Sequence, residues 1–187
     1  MSRIALFIIL SIGIFFFYSV FWFLTDPRTK KERLPHYFNP KNLLLSTSYI
    51  VFFISQLLNI MYYPHLFFAN SSFFIIVGII LYTSGLLLAS WAKTTMKSYW
   101  GTPFQHDIKR QNTLVTTGPF QFSRNPIYVS LLLTCLGFFL ALQSYFIIST
   151  VGFFIYFYLS ILKEEKLLTK FFKKKYLLYK SLVPRFF

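Results

Sequence analysis

The stretch NPIYVSLLLTCLGFFLALQSYFIISTVGFFIYFYLSIL, residues 125–162, decides the fold of this chain because none of its 38 residues is charged. One membrane crossing by an α-helix needs about 20 apolar residues, so this stretch has the length of two short crossings. Its polar interruption, Leu-Gln-Ser at 142–144, predicts a turn. We therefore expect a helical hairpin with spans near 127–141 and 145–162.

Two further uncharged segments precede the hairpin. Residues 4–24 are longer than the apolar core of a typical secretory signal, and they predict a retained span. Residues 42–92 are too long for one helix and contain the turn-rich sequence YYPHLFFANSS at 62–72, where we expect a break. This segment therefore predicts spans near 43–62 and 73–92, and the expected total is five.

The composition predicts an all-α integral membrane protein that crosses the bilayer several times. Hydrophobic residues make up 56% of the 187 residues and aromatic residues 22%, with 26 phenylalanines. A soluble domain of this length could not bury so much apolar surface. No internal repeat or linker divides the sequence, so we expect a single membrane domain over residues 1–187.

The basic residues indicate the orientation in the membrane. With five spans, all of the 19 lysines and arginines except Arg3 fall on one side of the bilayer. The positive-inside rule then places the N-terminus outside and the C-terminus in the cytoplasm. The membrane would be the plasma or inner membrane of a prokaryote, or the endoplasmic reticulum of a eukaryote. The basic excess thus indicates orientation and contact with membrane lipids, and no nucleic-acid partner is expected.

The tail after the hairpin predicts an interfacial amphipathic helix. The apolar face of this helix is expected to consist of Leu167, Leu168, Phe171, Phe172, Leu178, Tyr179 and Leu182. Its basic face is expected to consist of Lys166, Lys170, Lys173, Lys174 and Lys180. Such a helix would hold the tail against anionic lipid.

Several familiar kinds of site are absent from the sequence. The glycines never form G-x-G, which excludes a dinucleotide fingerprint, and no G-x-S-x-G nucleophile elbow occurs. The three histidines are far apart, and no Cys/His spacing suits a metal, so no metal is expected.

Two polar features remain as candidate sites. The first is the triplet Arg124, Asn125 and Pro126, in which each residue also suits the start of a membrane helix. Proline fits the first helical position, asparagine caps the helix, and arginine reaches the interface. The second is the pair Glu164 and Glu165 at the end of the last span. Acids at a helix C-terminus oppose the helix dipole and need a partner, which would be Arg124, a ligand cation or water.

The motifs taken together resemble a known family. The sequence NTLVTTGPFQFSRNPIY at 112–128, followed after the hairpin by EEKLLTKFFKKKYLLYKSLVPRF at 164–186, strongly resembles the isoprenylcysteine carboxyl methyltransferase family, which includes phospholipid methyltransferase-like members. That family carries an Arg-His-Pro-x-Tyr motif, a Glu-Glu pair and a terminal Val-Pro-Arg in the same order. The resemblance covers roughly residues 85–187.

The resemblance implies an integral membrane enzyme that uses S-adenosyl-L-methionine as its methyl donor, with a cofactor-site region over 93–187. It implies that the loop before the hairpin, the start of the hairpin and the acidic helix end together form the donor pocket. The implied donor-binding residues are Gln105, Asn112, Thr113, Leu114, Val115, Phe120, Asn125, Pro126, Ile127, Tyr128 and Glu164.

The sequence departs from the family at four positions, three of them in the donor-binding set. Asparagine replaces the family histidine at Asn112 and Asn125, and phenylalanine replaces a common tyrosine at Phe120. Ser160 stands where the eukaryotic branch has a substrate-contacting arginine. Asparagine keeps a hydrogen-bond donor and an acceptor of similar reach, so contact with the donor remains possible at both positions.

Arg124 and Glu165 are the candidate catalytic residues. Arg124 or the first N–H groups of the hairpin would hold the carboxylate of the donor. A carboxylate acceptor needs no base at neutral pH, and catalysis would then rest on proximity and desolvation. An amine or hydroxyl acceptor would need a base, and Glu165 is the nearest candidate.

The expected function is methylation of a lipophilic acceptor in the membrane, either the carboxylate of a prenylcysteine-like molecule or another lipid-like substrate. One alternative is an NADPH-dependent sterol-type reductase, since such enzymes resemble this family in the hairpin region. Against it, no additional basic cluster singles out a 2′-phosphate. The other alternative is a non-enzymatic membrane subunit that retains the motifs as scaffold.

We predict that a reporter fused after residue 187 will be cytoplasmic, because the basic residues other than Arg3 would then all lie inside. A fusion in the 62–72 segment, which contains no lysine or arginine, is the matched control and should report from the outer side. A C-terminal reporter found outside would contradict this orientation.

Overall fold

The computed structural model describes residues 2–21, 24–25, 40–63, 67–68, 70–96 and 113–187. Within these ranges the chain is helical, with an isolated bridge between Phe67 and Ser144 and no β-strand. The predicted all-α class is therefore confirmed. The α-helices are α1 (Arg3–Phe15), α2 (Pro40–Tyr62), α3 (Ser72–Met96), α4 (Pro126–Leu142), α5 (Ser149–Phe172) and α6 (Lys174–Leu182).

Helices occur at each of the five predicted span positions, but their lengths differ. Among the described residues, Ser72–Met96 and Tyr145–Phe172 are long and apolar enough to cross a membrane. The second of these ranges joins α5 to the short 3-10 helix before it. Three shorter apolar helices are Arg3–Phe15, Ile50–Tyr62 and Pro126–Leu142. Five crossings therefore stay a prediction.

The first of two compact units contains α1 and α2, together with the turn after α4. The hydroxyl oxygen of Ser2 accepts a hydrogen bond from the N–H of Ala5 at 3.2 Å and caps α1. The turn lies where the sequence predicted it, because α4 ends at Leu142 and Gln143 adopts a positive φ of 58°. The carbonyl oxygen of Gln143 accepts a hydrogen bond from the N–H of Phe68 at 3.0 Å.

The second unit covers residues 71–141 and 146–187, and α3 packs against α4 within it through small residues. A methyl group built on Gly78 would overlap the backbone of Ala141, and one on Gly137 would overlap the backbone of Tyr82. These pairs run in opposite directions, so the two helices are antiparallel. Small residues let helix backbones approach closely, which is how membrane helices gain van der Waals contact. The buried face of α3 consists of Gly78, Tyr82, Gly85, Ala89, Ala92, Lys93 and Met96.

The segment that precedes α4 packs on the end of α3. It contains a 3-10 helix, Gly118–Gln121, whose first residue has a φ of 60°. A side chain at Gly118 would be strained by this backbone conformation and would also lie 2.7 Å from the hydroxyl oxygen of Thr95. The rings of Trp91 and Phe122 lie 6.4 Å apart at the same junction. This contact sets the position from which α4 starts.

The tail differs from its prediction. The charged residues after 162 continue α5 to Phe172, and the chain then bends at Lys173, which has a φ of 49° and a ψ of −123°. The α6 helix buries Tyr179 while Leu178 and Leu182 are exposed. The prediction of a single continuous tail helix is therefore wrong, whereas its placement at the membrane surface stays a prediction. The bend at Lys173 divides the tail into two helices with different buried faces.

We predict that Gly85→Ala will lower the free energy of unfolding by about 1–3 kcal/mol through overpacking. The new methyl group would lie 2.7 Å from the carbonyl oxygen of Ser130 on α4. Gly152→Ala on α5 is the matched control, because a methyl group there meets nothing within 4 Å. Alanine has a higher helix propensity than glycine, so Gly152→Ala should leave the free energy of unfolding unchanged or raise it. Unfolding in detergent measures both, and equal stability of the two variants would contradict close packing of α3 on α4.

Candidate functional site

The polar residues of the second unit meet where α4 begins and where the charged part of α5 begins. The hydroxyl of Tyr128 donates a hydrogen bond of 2.7 Å to Oε1 of Glu164. Tyr128 is buried and forms an apolar cluster with Phe157 and Ile161 of α5. This packing fixes the tyrosine ring and directs its hydroxyl to the acid. Two of the residues predicted to bind the donor are thus brought together.

The neighbouring acid, Glu165, is surrounded by cations. Arg185 donates from Nε to Oε1 and from Nη2 to Oε2, both at 3.0 Å. Nη2 of Arg124 lies 3.1 Å from Oε1, and Nζ of Lys180 lies 3.9 Å from Oε2. The side chains of Glu165 and Arg124 are 5% and 7% exposed. Of the partners expected for the acidic pair, Arg124 therefore contacts Glu165, and Arg185 is a further partner of the same acid.

Arg185 was singled out by the sequence only as part of the terminal Val-Pro-Arg and of the basic tail. Its Nη1 donates to the hydroxyl of Tyr158 at 3.0 Å, and its guanidinium lies 5.3 Å from the centre of the same ring. The hydrogen bond to Glu165 raises the pKa of Arg185 above its ordinary value. One signal could have identified it, because all other basic residues after 162 are lysines. Arginine is the residue whose planar fork fits a carboxylate with two bonds.

Asn125 lies at the start of α4, and its side chain also makes a hydrogen bond to the end of the chain. Its Nδ2 donates to the carbonyl oxygen of Arg185 at 3.1 Å, and the hydroxyl of Ser123 donates to the same oxygen at 3.2 Å. The N–H of Arg124 donates to the carbonyl oxygen of Pro184 at 3.0 Å. The Arg-Asn-Pro triplet is therefore both the start of a helix and the contact surface for the end of the chain.

Phe120 is buried, and its carbonyl oxygen accepts a hydrogen bond of 2.6 Å from the hydroxyl of Tyr179. Burial raises the pKa of Tyr179 to about 12, although the charge of Arg124 acts in the opposite direction. The hydroxyl therefore keeps its proton at neutral pH and remains a donor. This bond holds α6 against the 3-10 helix before α4.

A cavity of about 660 Å³ lies between the segment before α4 and the tail. Its lining residues are Thr113, Leu114, Thr116, Gln121, Phe172, Lys175, Leu178, Tyr179, Leu182 and Val183. Thr113 and Leu114 are residues that the resemblance assigned to donor binding. The cavity volume falls within the range of small-molecule sites, and half of its lining residues carry polar groups, namely Thr113, Thr116, Gln121, Lys175 and Tyr179.

The other predicted residues take different positions. Pro126 is fully buried at the first position of α4, Ile127 is half-buried one residue later, and Val115 is half-buried beside the cavity-lining Leu114. Gln105 and Asn112 lie outside the described residues. Ser160 is buried, and its hydroxyl donates to the carbonyl oxygen of Tyr156 at 3.0 Å. The part of the chain that the structure describes contains no group of three His, Cys, Asp or Glu residues placed to hold a metal ion.

Comparison with protein families gives a match to this chain. The family model described as phospholipid methyltransferase matches residues 73–175, which is more than half of the chain. The match begins in the first turn of α3 and ends in the first turn of α6. It therefore includes Glu164 and Glu165 and stops before Arg185. No curated protein matches the chain.

We predict that Asn125→Asp will destabilise the protein by about 1–3 kcal/mol, because the variant loses a buried donor and places a carboxylate oxygen against the carbonyl of Arg185. If Asn125 only capped α4, aspartate would serve equally well. Asn125→His keeps an N–H donor and is the matched control. Thermal unfolding in detergent measures both, and a fully stable Asn125→Asp variant would show that capping is the whole role.

Proposed function

Because this chain belongs to the phospholipid methyltransferase family, we propose that it is an S-adenosyl-L-methionine-dependent methyltransferase acting on a lipophilic acceptor in the membrane. Family membership makes it a membrane methyltransferase and confirms the resemblance to the isoprenylcysteine carboxyl methyltransferases. The observation that carries the choice of donor is the hydrogen bond between Tyr128 and Glu164. It joins two residues that the resemblance assigns to the donor site from opposite sides of the hairpin.

The charges of the site fit the donor. S-adenosyl-L-methionine carries an ammonium group, ribose hydroxyls and a carboxylate, and when bound it supplies a methyl group on an activated sulfonium. The carboxylate of Glu164 would hold the ammonium or a ribose hydroxyl. Nε of Arg124 is buried and has no hydrogen-bond acceptor among the described residues. A buried donor left unpaired costs about 1–3 kcal/mol, and the ligand carboxylate would satisfy it.

The cavity supports a part of the implied donor-binding set, since Tyr128, Glu164 and Arg124 are not among its lining residues. We propose that it receives part of the donor, because Thr113 and Leu114 line it. Phe120 is joined to Tyr179, another lining residue, through the bond from the tyrosine hydroxyl. Gln105, Asn112, Val115, Asn125, Pro126 and Ile127 complete the donor-binding set that the resemblance implies.

The hydrogen bonds of Glu165 indicate which kind of methyl acceptor the site fits. A general base needs a lone pair directed at the proton that it removes, whereas both oxygens of Glu165 accept hydrogen bonds from Arg185, and Oε1 also contacts Arg124. We therefore assign Glu165 to holding Arg124 in place rather than to proton transfer. This assignment favours an acceptor that needs no deprotonation, such as the carboxylate of a prenylcysteine-like or other lipid-like molecule.

For the membrane arrangement we propose five crossings by α1 to α5 in a single domain, with the N-terminus outside and the C-terminus in the cytoplasm. The two long apolar helices support crossings by α3 and α5. The exposed large apolar residues of α1 and α2, among them Ile12 and Val51, would then face lipid. The charged end of α5 and all of α6 would lie at the cytoplasmic surface.

The most direct test is thermal stabilisation of the purified protein in detergent by S-adenosylhomocysteine, with NADPH as the comparison ligand. A ligand at 100 times its dissociation constant stabilises the folded state by about 2.7 kcal/mol. We expect stabilisation by S-adenosylhomocysteine alone. Stabilisation by NADPH alone would indicate the reductase, and no response to either ligand would indicate a non-enzymatic subunit.

We predict that Glu164→Gln will weaken the binding of S-adenosylhomocysteine by about tenfold or more, because the charge opposite the ligand ammonium is lost. Tyr128→Phe is the companion variant, since it removes the hydroxyl that bonds to Glu164 but keeps the ring and the acid. It should weaken binding less than Glu164→Gln does. Isothermal titration calorimetry measures both affinities. Unchanged affinity in Glu164→Gln would remove Glu164 from the donor site.

A further inference from the structure

We propose that Arg185 is a positioning residue of the donor site, and that it keeps Nε of Arg124 available for the carboxylate of the donor. The inference rests on the proposed function, because it concerns how the donor is held. Arg185 lies beyond the residues that match the family model. It nevertheless contacts the residues on which the site depends through both its backbone and its side chain.

The backbone of the tail orients Asn125 and Arg124. The carbonyl oxygen of Arg185 accepts hydrogen bonds from Nδ2 of Asn125 and from the hydroxyl of Ser123, while the carbonyl of Pro184 accepts from the N–H of Arg124. Because the side-chain amide of asparagine is planar, fixing its nitrogen also fixes the direction of its oxygen. The end of the chain therefore determines which way Asn125 presents its acceptor.

The side chain of Arg185 determines how Glu165 pairs with Arg124. Arg185 uses two donors and occupies both oxygens of Glu165. Arg124 reaches Oε1 with Nη2, and its Nη1 donates to the carbonyl oxygen of Lys180 at 3.1 Å. Nε of Arg124 is left buried and without an acceptor among the described residues. The pairing of Glu165 with the two arginines thus leaves one charged hydrogen-bond donor of Arg124 available.

Removal of Arg185 would change this pairing. The carboxylate of Glu165 would be free to turn and to take both Nε and Nη2 of Arg124, since a planar guanidinium prefers to bind a carboxylate with two parallel bonds. Nε would then no longer be available to a ligand. In this way Arg185 acts on the donor through Glu165 and Arg124, without touching the donor itself.

The position requires arginine. Arg185 makes two bonds to Glu165, one to the hydroxyl of Tyr158 and a contact with the Tyr158 ring. A lysine ammonium has a single nitrogen and cannot span both carboxylate oxygens in the same plane. The lysine nearest to the cluster, Lys180, has Nζ 3.9 Å from Oε2 and a side chain that is 44% exposed.

The test compares two ligands in the variant Arg185→Gln. S-adenosylhomocysteine carries the amino-acid carboxylate and ammonium, whereas 5′-methylthioadenosine lacks both groups. We expect the affinity for S-adenosylhomocysteine to fall by about tenfold or more, as misplacement of a binding group can cause. The affinity for 5′-methylthioadenosine should stay within about twofold, because loss of one charged contact leaves the remaining contacts in place. Calorimetry well below the melting temperature measures both.

Two further variants accompany this comparison. Lys180→Gln is the matched control, because it also removes one positive charge near Glu165 but breaks only the 3.9 Å contact, and both ligands should bind as they do to the wild type. Arg185→Lys should show a smaller loss for S-adenosylhomocysteine than Arg185→Gln. If Arg185→Gln does not fold, the affinities of Arg185→Lys for the two ligands are compared with those of the wild type instead.

The outcomes separate this inference from the proposed function. Equal losses for the two ligands would show a general structural role and would overturn the inference. Unchanged affinity for S-adenosylhomocysteine in both Arg185 variants would also overturn it and would leave the proposed function intact. Failure of the wild type to bind S-adenosylhomocysteine would overturn the proposed function and the inference together.

Discussion

The buried carboxylate of Glu165 is the interaction on which the polar half of this protein depends. A carboxylate taken out of water loses several kcal/mol of solvation and is tolerated when it is paired and hydrogen-bonded. Here Arg124 comes from the start of α4, Glu165 from α5, and Arg185 from the end of the chain. One acid therefore fixes three segments that are far apart in sequence. Losing one partner of such a pair costs about 3–5 kcal/mol, because the remaining charge stays buried.

The two adjacent acids of α5 have different surroundings because successive helical residues point about 100° apart. Glu164 faces α4 and accepts a hydrogen bond from Tyr128, whereas Glu165 faces the tail and contacts two arginines. This separation gives the two carboxylates different partners, although they are adjacent in the sequence. In the function that we propose, Glu164 binds the donor and Glu165 keeps Arg124 in position.

The reaction that we propose requires the protein mainly to position the methyl donor and the acceptor. A sulfonium is already an activated electrophile, and a carboxylate acceptor already has its electron pair available. Catalysis then rests on holding the two reactants close together and away from water. The close approach of α3 to α4 at Gly85, which lies against Ser130, suits this task, because tightly packed helices form a rigid support near the start of α4. A site of this kind needs accurate positions more than reactive side chains.

The sequence by itself determined the helical class, the turn at 142–144 and the family. Length and uncharged composition are enough to identify apolar helices, and Gln143 and Ser144 interrupt the uncharged stretch 125–162 near its middle. The position of the acidic pair likewise indicated that it needs a partner, and Arg124, a ligand cation and water were the candidates. These features are local, or they depend on the order of motifs along the chain, so they can be read without knowing how the chain packs.

Only the tertiary structure decided which acid pairs with which partner and where the tail bends. The face that each residue of the Glu164–Glu165 pair presents depends on how α5 packs against α4 and the tail, and no local pattern contains that information. The bend at Lys173 contains neither glycine nor proline, so no residue type near it indicates a bend. The role that we propose for Arg185 depends on contacts with Asn125 and Glu165, which lie 60 and 20 residues away in the sequence. Such long-range contacts arise from packing of the whole unit, and the chain order alone does not specify them.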